Sequence, residues 1–501
     1  MDKPKFHFEI PSGLPPGREP IASWRDLALI LVRIHGNIWA MRTEEFQRTP
    51  SAPGYREIFK LAWPLALGMA NNALMQFVDR VFLARESASS LEAALPASIL
   101  AYLFIGFFQN IVAYSGIFVA QFHGAGNERG CAQSCRAGLA LALASTIFLV
   151  ALIPVGNAVF DWCGHAPAVL AREKSYYSIV MAGGMLLCGS MALQGYFTGL
   201  GLTRVVFWVN LAGNLLNIAL DPLLIFGCEP FPAMGIAGAA VATVFSQFVQ
   251  FAALGLLAWR RLRAMPGTAA AMPETAFGAL LVRVLRFGLP AGIYSLLNLL
   301  SFTAFVFVTG KVGDMEFAVS NAAFTVNYLL FAPIEGFSIG AGTLVGQFQG
   351  RGDSEGAFRA GRRSLALAEL YVVVTSTLVV LCHRPILGLF VASNAAFDPQ
   401  AFISLGFTLF VMMALWQFFD GGDIVLAGAL KGAGDTRFVM VWMLVCSFLV
   451  WLPLVWIVYL RHPTMPALWS TMIVYVVLIC IGTAIRWWRG GWSRIRLVEK
   501  G

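Results

Sequence analysis

The chain carries one passage twice. Residues 118–130 read FVAQFHGAGNERG and residues 344–356 read LVGQFQGRGDSEG, with Gln121 and Gln347 standing 226 residues apart. The same offset relates Pro64 to Pro290, each near the start of a long apolar segment. A second pair, GLGLTR at 199–204 and GAGDTR at 432–437, is offset by 233, so a connection about seven residues longer lies in the second copy. A duplicated half constrains the fold strongly, because each copy must fold alike and the two must meet about an axis. Inside an apolar chain such halves point to a transporter, since they can rock around a central site.

The apolar character sets the solvent. Hydrophobic residues make up 58% of the chain and charged residues 12%, about half the charged share of a soluble domain. From residue 55 onward the sequence reads as twelve apolar segments. They are too long and uniformly apolar for barrel strands, and helices satisfy their own backbone polar groups in lipid. The expected fold is an all-α integral membrane protein with twelve transmembrane helices in two six-helix lobes. Six is even, so both lobes insert the same way up, and the pseudo-twofold axis runs along the membrane normal.

The expected organisation is an N-terminal extension at 1–54, a first lobe at 55–259, a linker at 260–278, a second lobe at 279–490 and a basic tail at 491–501. The extension opens rich in Pro and Gly, which predicts disorder. Its apolar stripe from Trp24 to Arg42 is broken by Arg25, Arg33 and His35, which predicts an interfacial helix rather than a span. It lacks the small-residue cleavage site of a signal peptide.

A net charge of +8 raises nucleic acid as a partner, but its distribution excludes it. With the spans read alternately, 28 of the 35 Lys and Arg fall on one side and 7 on the other. This is the positive-inside bias. It predicts a multi-pass protein of the cell membrane with both termini cytoplasmic. The expected partners are a small-molecule substrate and the lipid bilayer, with no nucleic acid, and a monomer is expected.

The chemistry is expected where polar groups enter the spans. On the fifth, Asn210, Asn214, Asn217 and Asp221 are spaced 4, 3 and 4, and on the first, Asn72, Gln76 and Asp79 repeat 4, 3. That spacing puts each set on one helical face. An ionisable group in a bilayer costs at least about 2.5 kcal/mol, so it normally faces a partner or a watery cavity. Hydrogen bonding between helices is the plainer reading of the asparagines; for Asp79 and Asp221 ion coupling is expected. Loss of hydration favours the neutral acid, so such a carboxyl can carry a proton between the two sides. Oxygen ligands equally suit sodium at Asp79, Asn217 and Asp221. The second half offers Asn298, Asn321, Thr325, Tyr328, Glu335, Gln417, Asp420 and Asp423 as further polar or substrate candidates. Glu369 is set aside as an interfacial or packing residue.

Other sites are not expected. Cys131 and Cys135 lie one turn apart but lack the further ligands a zinc site needs. Gly124-Ala125-Gly126 and Gly350-Arg351-Gly352 have neither a preceding strand nor a following GK[ST], so they read as tight turns rather than phosphate loops. No cofactor is expected, and no nucleophile–base or metal constellation marks an enzyme.

The passages FVDR (77–80), VAQFHGAGN (119–127), NIALDP (217–222), GIAGAAVAT (235–243), LVGQF (344–348) and GALKGAGDTR (428–437) together resemble the multidrug and toxic compound extrusion (MATE) family over residues 55 to about 488. The resemblance implies cation-coupled export of organic, often cationic, compounds. Its first-span aspartate matches Asp79, its fifth-span Asn-x-x-x-Asp matches Asn217 and Asp221, and its tenth-span acidic position matches Asp420. Where many members carry a seventh-span glutamate, this chain has Asn298, which shifts the expected coupling to Asp79 and Asp221. Arg80 replaces a small polar residue; it either pairs with Asp79 or snorkels to the headgroups, the latter being favoured. The implied activity is antiport of organic cations or amphiphiles against H+ or Na+ by alternating access. A lipid-linked precursor flippase of the same superfamily and an intramembrane enzyme are the alternatives. A basic mid-membrane cavity would mark the first and a catalytic constellation the second.

Overall fold

A computed structural model describes residues 54–227, 232–264, 274–391 and 397–498. The extension expected at 1–54, with its interfacial helix, lies outside the described residues apart from Gly54. Twelve helical rods follow. They are α1 (Tyr55–Glu86), α2 (Ala88–Gly124), α3 (Glu128–Cys163), α4 (Pro167–Ala182 and Gly184–Gly199), α5 (Thr203–Ile225), α6 (Ile236–Ala264), α7 (Glu274–Thr309), α8 (Asp314–Arg351), α9 (Ser354–Leu381), α10 (Pro399–Ala433), α11 (Thr436–Arg461) and α12 (Met465–Trp488). A short helix, His383–Val391, continues α9. No strand occurs among the described residues.

Among the described residues, ten rods are long and apolar enough to cross a membrane, or eleven with α4, which bends by 46° at Gly183. The rod outside that measure is α1. It matches its neighbours in length, but Asn71, Asn72, Gln76, Asp79 and Arg80 interrupt its apolar run. The first of the twelve expected spans is therefore a polar-striped helix that falls short of the apolar measure its neighbours meet.

The irregularities have local causes. In α11 the helix widens to a π-turn over Val445–Trp451, just before Pro453, whose ring removes a donor and crowds the preceding turn. The duplicated hairpins are built alike. Gly126 and Gly352 adopt positive φ of 73° and 79°. Asn127 and Asp353 then cap the next helices, accepting from Gly130 N at 2.8 Å and Gly356 N at 2.7 Å. Only the second glycine of each hairpin makes the turn. The first, Gly124 or Gly350, lies against the main chain of the other half: a Cβ on Gly124 would overlap the Gln347 carbonyl, and one on Gly350 the Gln121 carbonyl. The loops expected as simple turns are also the crossing point of the two halves.

This crossing lies at the end of the bundle where Arg129, Arg359, Arg362, Arg486 and Arg489 collect, here termed the arginine-rich end. The halves stay interlocked for several turns above it. Gly336 of α8 meets the Ala66 backbone of α1, and Gly288 and Gly292 of α7 admit the carbonyls of Ile111 and Phe107 of α2. Small residues four apart let membrane helices approach this closely. Towards the opposite end the same faces are bare. Phe77, three turns beyond Ala66, is 61% exposed, and Leu329, two turns before Gly336, is 56% exposed. The halves therefore part into a cleft opening away from the arginine-rich end.

Candidate functional site

Three rods of the first half bring the predicted polar stripes together. On α5 the 4-3-4 spacing holds: Asn210, Asn214, Asn217 and Asp221 are all buried. Facing them on α1 are Asn72 and Asp79, both half-buried. Asn214 Nδ2 donates to Asn72 Oδ1 at 2.6 Å. One turn further up, Asn217 has its amide oriented to satisfy both neighbours. It donates to Asp79 Oδ1 at 3.1 Å and accepts from the backbone N–H of Thr243 on α6 at 3.2 Å. At the other end of the stripe Asn210 Nδ2 donates to Gln194 Oε1 of α4 at 3.0 Å. Each such bond is worth about 1 kcal/mol net, but leaving one member unpaired costs about 1–3 kcal/mol, so the ladder fixes the register of α1 against α5.

Asp221 ends the ladder differently. Its side chain is fully buried, no N–H or O–H donor among the described residues reaches either carboxyl oxygen, and it lies within hydrogen-bonding reach of the Asp79 carboxyl, a contact that needs a proton. A buried, ionised carboxylate with no partner costs several kcal/mol, and two carboxylates side by side repel. The pair needs a proton or a cation between its oxygens. Arg80 lies within electrostatic reach of Asp79 but forms no ion pair with it. It is exposed, and Asp79 takes part in none of the ion pairs among the described residues. Gln76 is half-buried on α1 beside these groups.

The second half does not repeat this site. At the position 226 residues beyond Asp79 stands Phe305, fully buried, its ring 5.3 Å from that of Trp451. Phe324, Trp416, Trp469 and Tyr475 complete an aromatic block around it. The polar candidates of this half divide into two groups. Asn298 and Tyr328 are exposed, as are Asn321 and Thr325. Gln417 is buried and links Asn327 (2.7 Å) to Ser376 (3.0 Å). Asp423, 3% exposed, accepts from Thr483 Oγ1 at 2.8 Å, while Asp420 and Glu335 are half-buried. Lys431, its Nζ 4.9 Å from the Tyr294 ring centre, lies within electrostatic reach of Glu335 and Asp423. Glu369, set aside on sequence, has one buried carboxyl oxygen without a partner and packs beside Gly422 and Cys480.

Sequence reasoning missed Gln194, Asn327 and Thr483 as partners. A lone glutamine or asparagine in mid-span was the available signal for the first two. Cys131 and Cys135 are buried packing residues, with Cys131 Sγ donating to the Val119 carbonyl at 3.5 Å.

Between the halves, the duplicated motifs bond to one another reciprocally. Gln121 Nε2 of α2 donates to the Gly432 carbonyl of α10 at 3.1 Å, and Gln347 Nε2 of α8 donates to the Gly199 carbonyl of α4 at 2.9 Å. Gln121 and Gln347 belong to the first repeated pair, and Gly199 and Gly432 to the second. Each half reads its partner's copy, as a twofold axis requires.

The MatE family profile matches residues 64–223 and again 290–457, once in each half. Among curated relatives, a probable multidrug resistance protein NorM of Pseudomonas aeruginosa is 29% identical over 419 residues, covering 81% of this chain and 83% of that protein. The protein of the same description from Thermotoga maritima is 27% identical over 333 residues, covering 65% and 70%. A solved structure described as the outward-facing conformation of a multidrug resistance MATE family transporter of the MOP superfamily superposes with a TM-score of 0.79 at 17% identity, covering 89% of this chain and 98% of that one. A MOP superfamily transporter from Pyrococcus furiosus gives 0.77 at 17% identity, covering 90% and 100%.

Proposed function

The chain belongs to the MatE family, and from that premise we propose that it is a secondary antiporter exporting organic cations or amphiphiles in exchange for H+ or Na+. It is a multi-pass membrane protein. On our reading the arginine-rich end faces the cytoplasm, both termini lie on that side, and the cleft opens outward. The observation that carries the proposal is the fully buried Asp221 carboxyl, which no donor reaches, set against the Asp79 carboxyl.

The chemistry follows from that pair. When a proton or sodium ion enters from outside, it neutralises the contact and draws α1 towards α5. When it leaves, repulsion returns and the two helices part. Asn217 hydrogen-bonds Asp79 and is anchored on α6, so movement of Asp79 is passed to α6. A change of charge in one half thus alters the face that half presents to the cleft, which biases the opening of one end over the other. Exposed Tyr328 and Asn298 offer an aromatic face and an amide to a solute in the cleft. Tyrosine faces attract organic cations, the solute class that this reading assigns.

The test is efflux of a cationic dye from proteoliposomes under proton and sodium gradients imposed separately. We expect one gradient to drive export and Asp221→Asn to abolish that drive. Ion-driven export that persists in Asp221→Asn removes the aspartate pair from the mechanism, and no export under either gradient removes the antiport reading.

A further inference from the structure

We propose that residues 491–498 form a strap that holds the two halves together at the arginine-rich end and must release before that end can open. The inference rests on the alternating-access reading above.

The segment is built into the bundle. Gly490, at a positive φ of 69°, turns the chain out of α12, and Gly491–Arg494 form a 3-10 turn. Trp492 folds back, stacks on Trp487 with ring centres 4.4 Å apart and donates from Nε1 to the Trp487 carbonyl at 2.9 Å. The backbone then runs past α8, where Gln349 Nε2 donates to the carbonyls of Ser493 (2.9 Å) and Ile495 (3.1 Å). Arg283 of α7 donates to the Leu497 carbonyl. Gly434, at a φ of 101°, leaves room for this path: a Cβ there would come within 2.9 Å of Ile495 and 3.2 Å of Leu497. These contacts anchor the strap to the second half.

Its far end reaches the first half. Leu497 and Val498 are 0% and 7% exposed and share an apolar cluster with Tyr114, Phe118 and Ala137 of the first half and Leu280 and Val284 of α7. Tyr114 also crosses the seam, donating from its hydroxyl to the Lys431 carbonyl at 2.8 Å. The attachment is asymmetric. To the second half it is polar, specific and doubled at Gln349; to the first half it is an apolar plug. Separating the halves at this end strips Leu497 and Val498 from Tyr114, Phe118 and Ala137 and leaves the anchors intact, so the plug is the releasable contact.

Gln349 and its counterpart in the first half are used differently. Its counterpart 226 residues earlier is His123, which pairs with Glu128 at 3.7 Å. The repeat QFQG holds a passing backbone, whereas QFHG is turned to its own hairpin.

The experiment uses full-length protein in proteoliposomes with the eight native cysteines replaced and Ile117→Cys introduced. Ile117 lies on the seam, 3.8 Å from where a Cβ on Gly342 of α8 would stand. A membrane-impermeant maleimide is supplied to the arginine-rich face and the labelling rate is measured. Leu497→Asp is expected to speed labelling several-fold with the protein monodisperse by gel filtration, and Leu497→Met to leave it slow. Should Leu497→Asp fail to fold, Gln349→Ala provides the same reading, since it loosens the anchor and keeps the buried pair. Unchanged labelling in a folded release variant overturns the strap. Dye export by the parent protein is measured in parallel: its absence counts against the antiport reading and leaves the labelling comparison standing, so the two failures are distinct.

Discussion

Asn217 ties Asp79 to the backbone of a third helix: one side of its amide donates to the carboxylate at 3.1 Å and the other accepts from Thr243 N–H at 3.2 Å. The carboxyl pair proposed to couple ions is therefore held in place, and its neighbours become predictable points of failure.

Asn217→Leu is expected to lower stability by about 1–3 kcal/mol, because it buries a leucine against an acceptor and a donor it cannot satisfy. Asn217→Asp keeps an acceptor for Thr243 N–H but adds a third carboxylate, and should reduce ion-driven export more than it reduces stability. Thermal unfolding in detergent and dye efflux, measured side by side, check the split. Equal loss in both would make Asn217 a packing residue.

Asp79→Asn and Asp221→Asn should act as one unit. Each single change removes the carboxyl pairing that a proton or cation bridges, so the double variant is expected to lose no more ion-driven export than the more severe single one, a non-additivity typical of contacting groups. Additive losses in efflux would show that the two carboxyls work separately.

Gly350→Ala and Gly124→Ala place a methyl group on the main chain of the opposite half. Overpacking of this kind costs about 1–3 kcal/mol, paid only when the arginine-rich end is closed. Both variants should therefore shift the protein towards opening at that end, seen as faster labelling of Ile117→Cys from that face. Gly126→Ala has open space around it and suffers only from its positive φ, so it should destabilise the hairpin and leave the labelling rate unchanged.

A cross-link across the seam should arrest the cycle. A Cβ on Gly346 would stand 3.2 Å from that of Ala120, close to the spacing of about 3.5–4.5 Å that a disulfide spans. Ala120→Cys with Gly346→Cys is expected to oxidise readily, to block export and to recover on reduction. Export that continues in the oxidised protein would mean that the halves need not separate there.

Much of this was legible in the sequence because the signals were periodic. The 4-3-4 and 4-3 spacings put Asn210, Asn214, Asn217 and Asp221 on one face and Asn72 and Asp79 on another, and an ionisable group in oil must find company. What periodicity cannot give is the partner across a gap. Gln194 and the Thr243 backbone are fixed by how α4 and α6 tilt; a lone glutamine carries no period, and a backbone N–H leaves no mark in the sequence. The duplication predicted two like halves but not their divergence, since Phe305 in place of Asp79 reads in sequence as one more apolar residue. Gly124 and Gly350 looked like turn residues because glycine serves both a bend and a close crossing. Residues 491–498 read as a basic tail because two buried residues, Leu497 and Val498, are too few to form a pattern.

The paired bonds from Gln121 to Gly432 and from Gln347 to Gly199 stand on either side of the pseudo-twofold axis. Two fasteners so placed share any tilting strain, and neither can loosen alone without the other taking its load. Sliding one half along the other would stretch one fastener and jam its twin. The seam is thus stiff to shear and yields only to a rocking motion that parts both at once, giving the end two positions and no useful halfway stop.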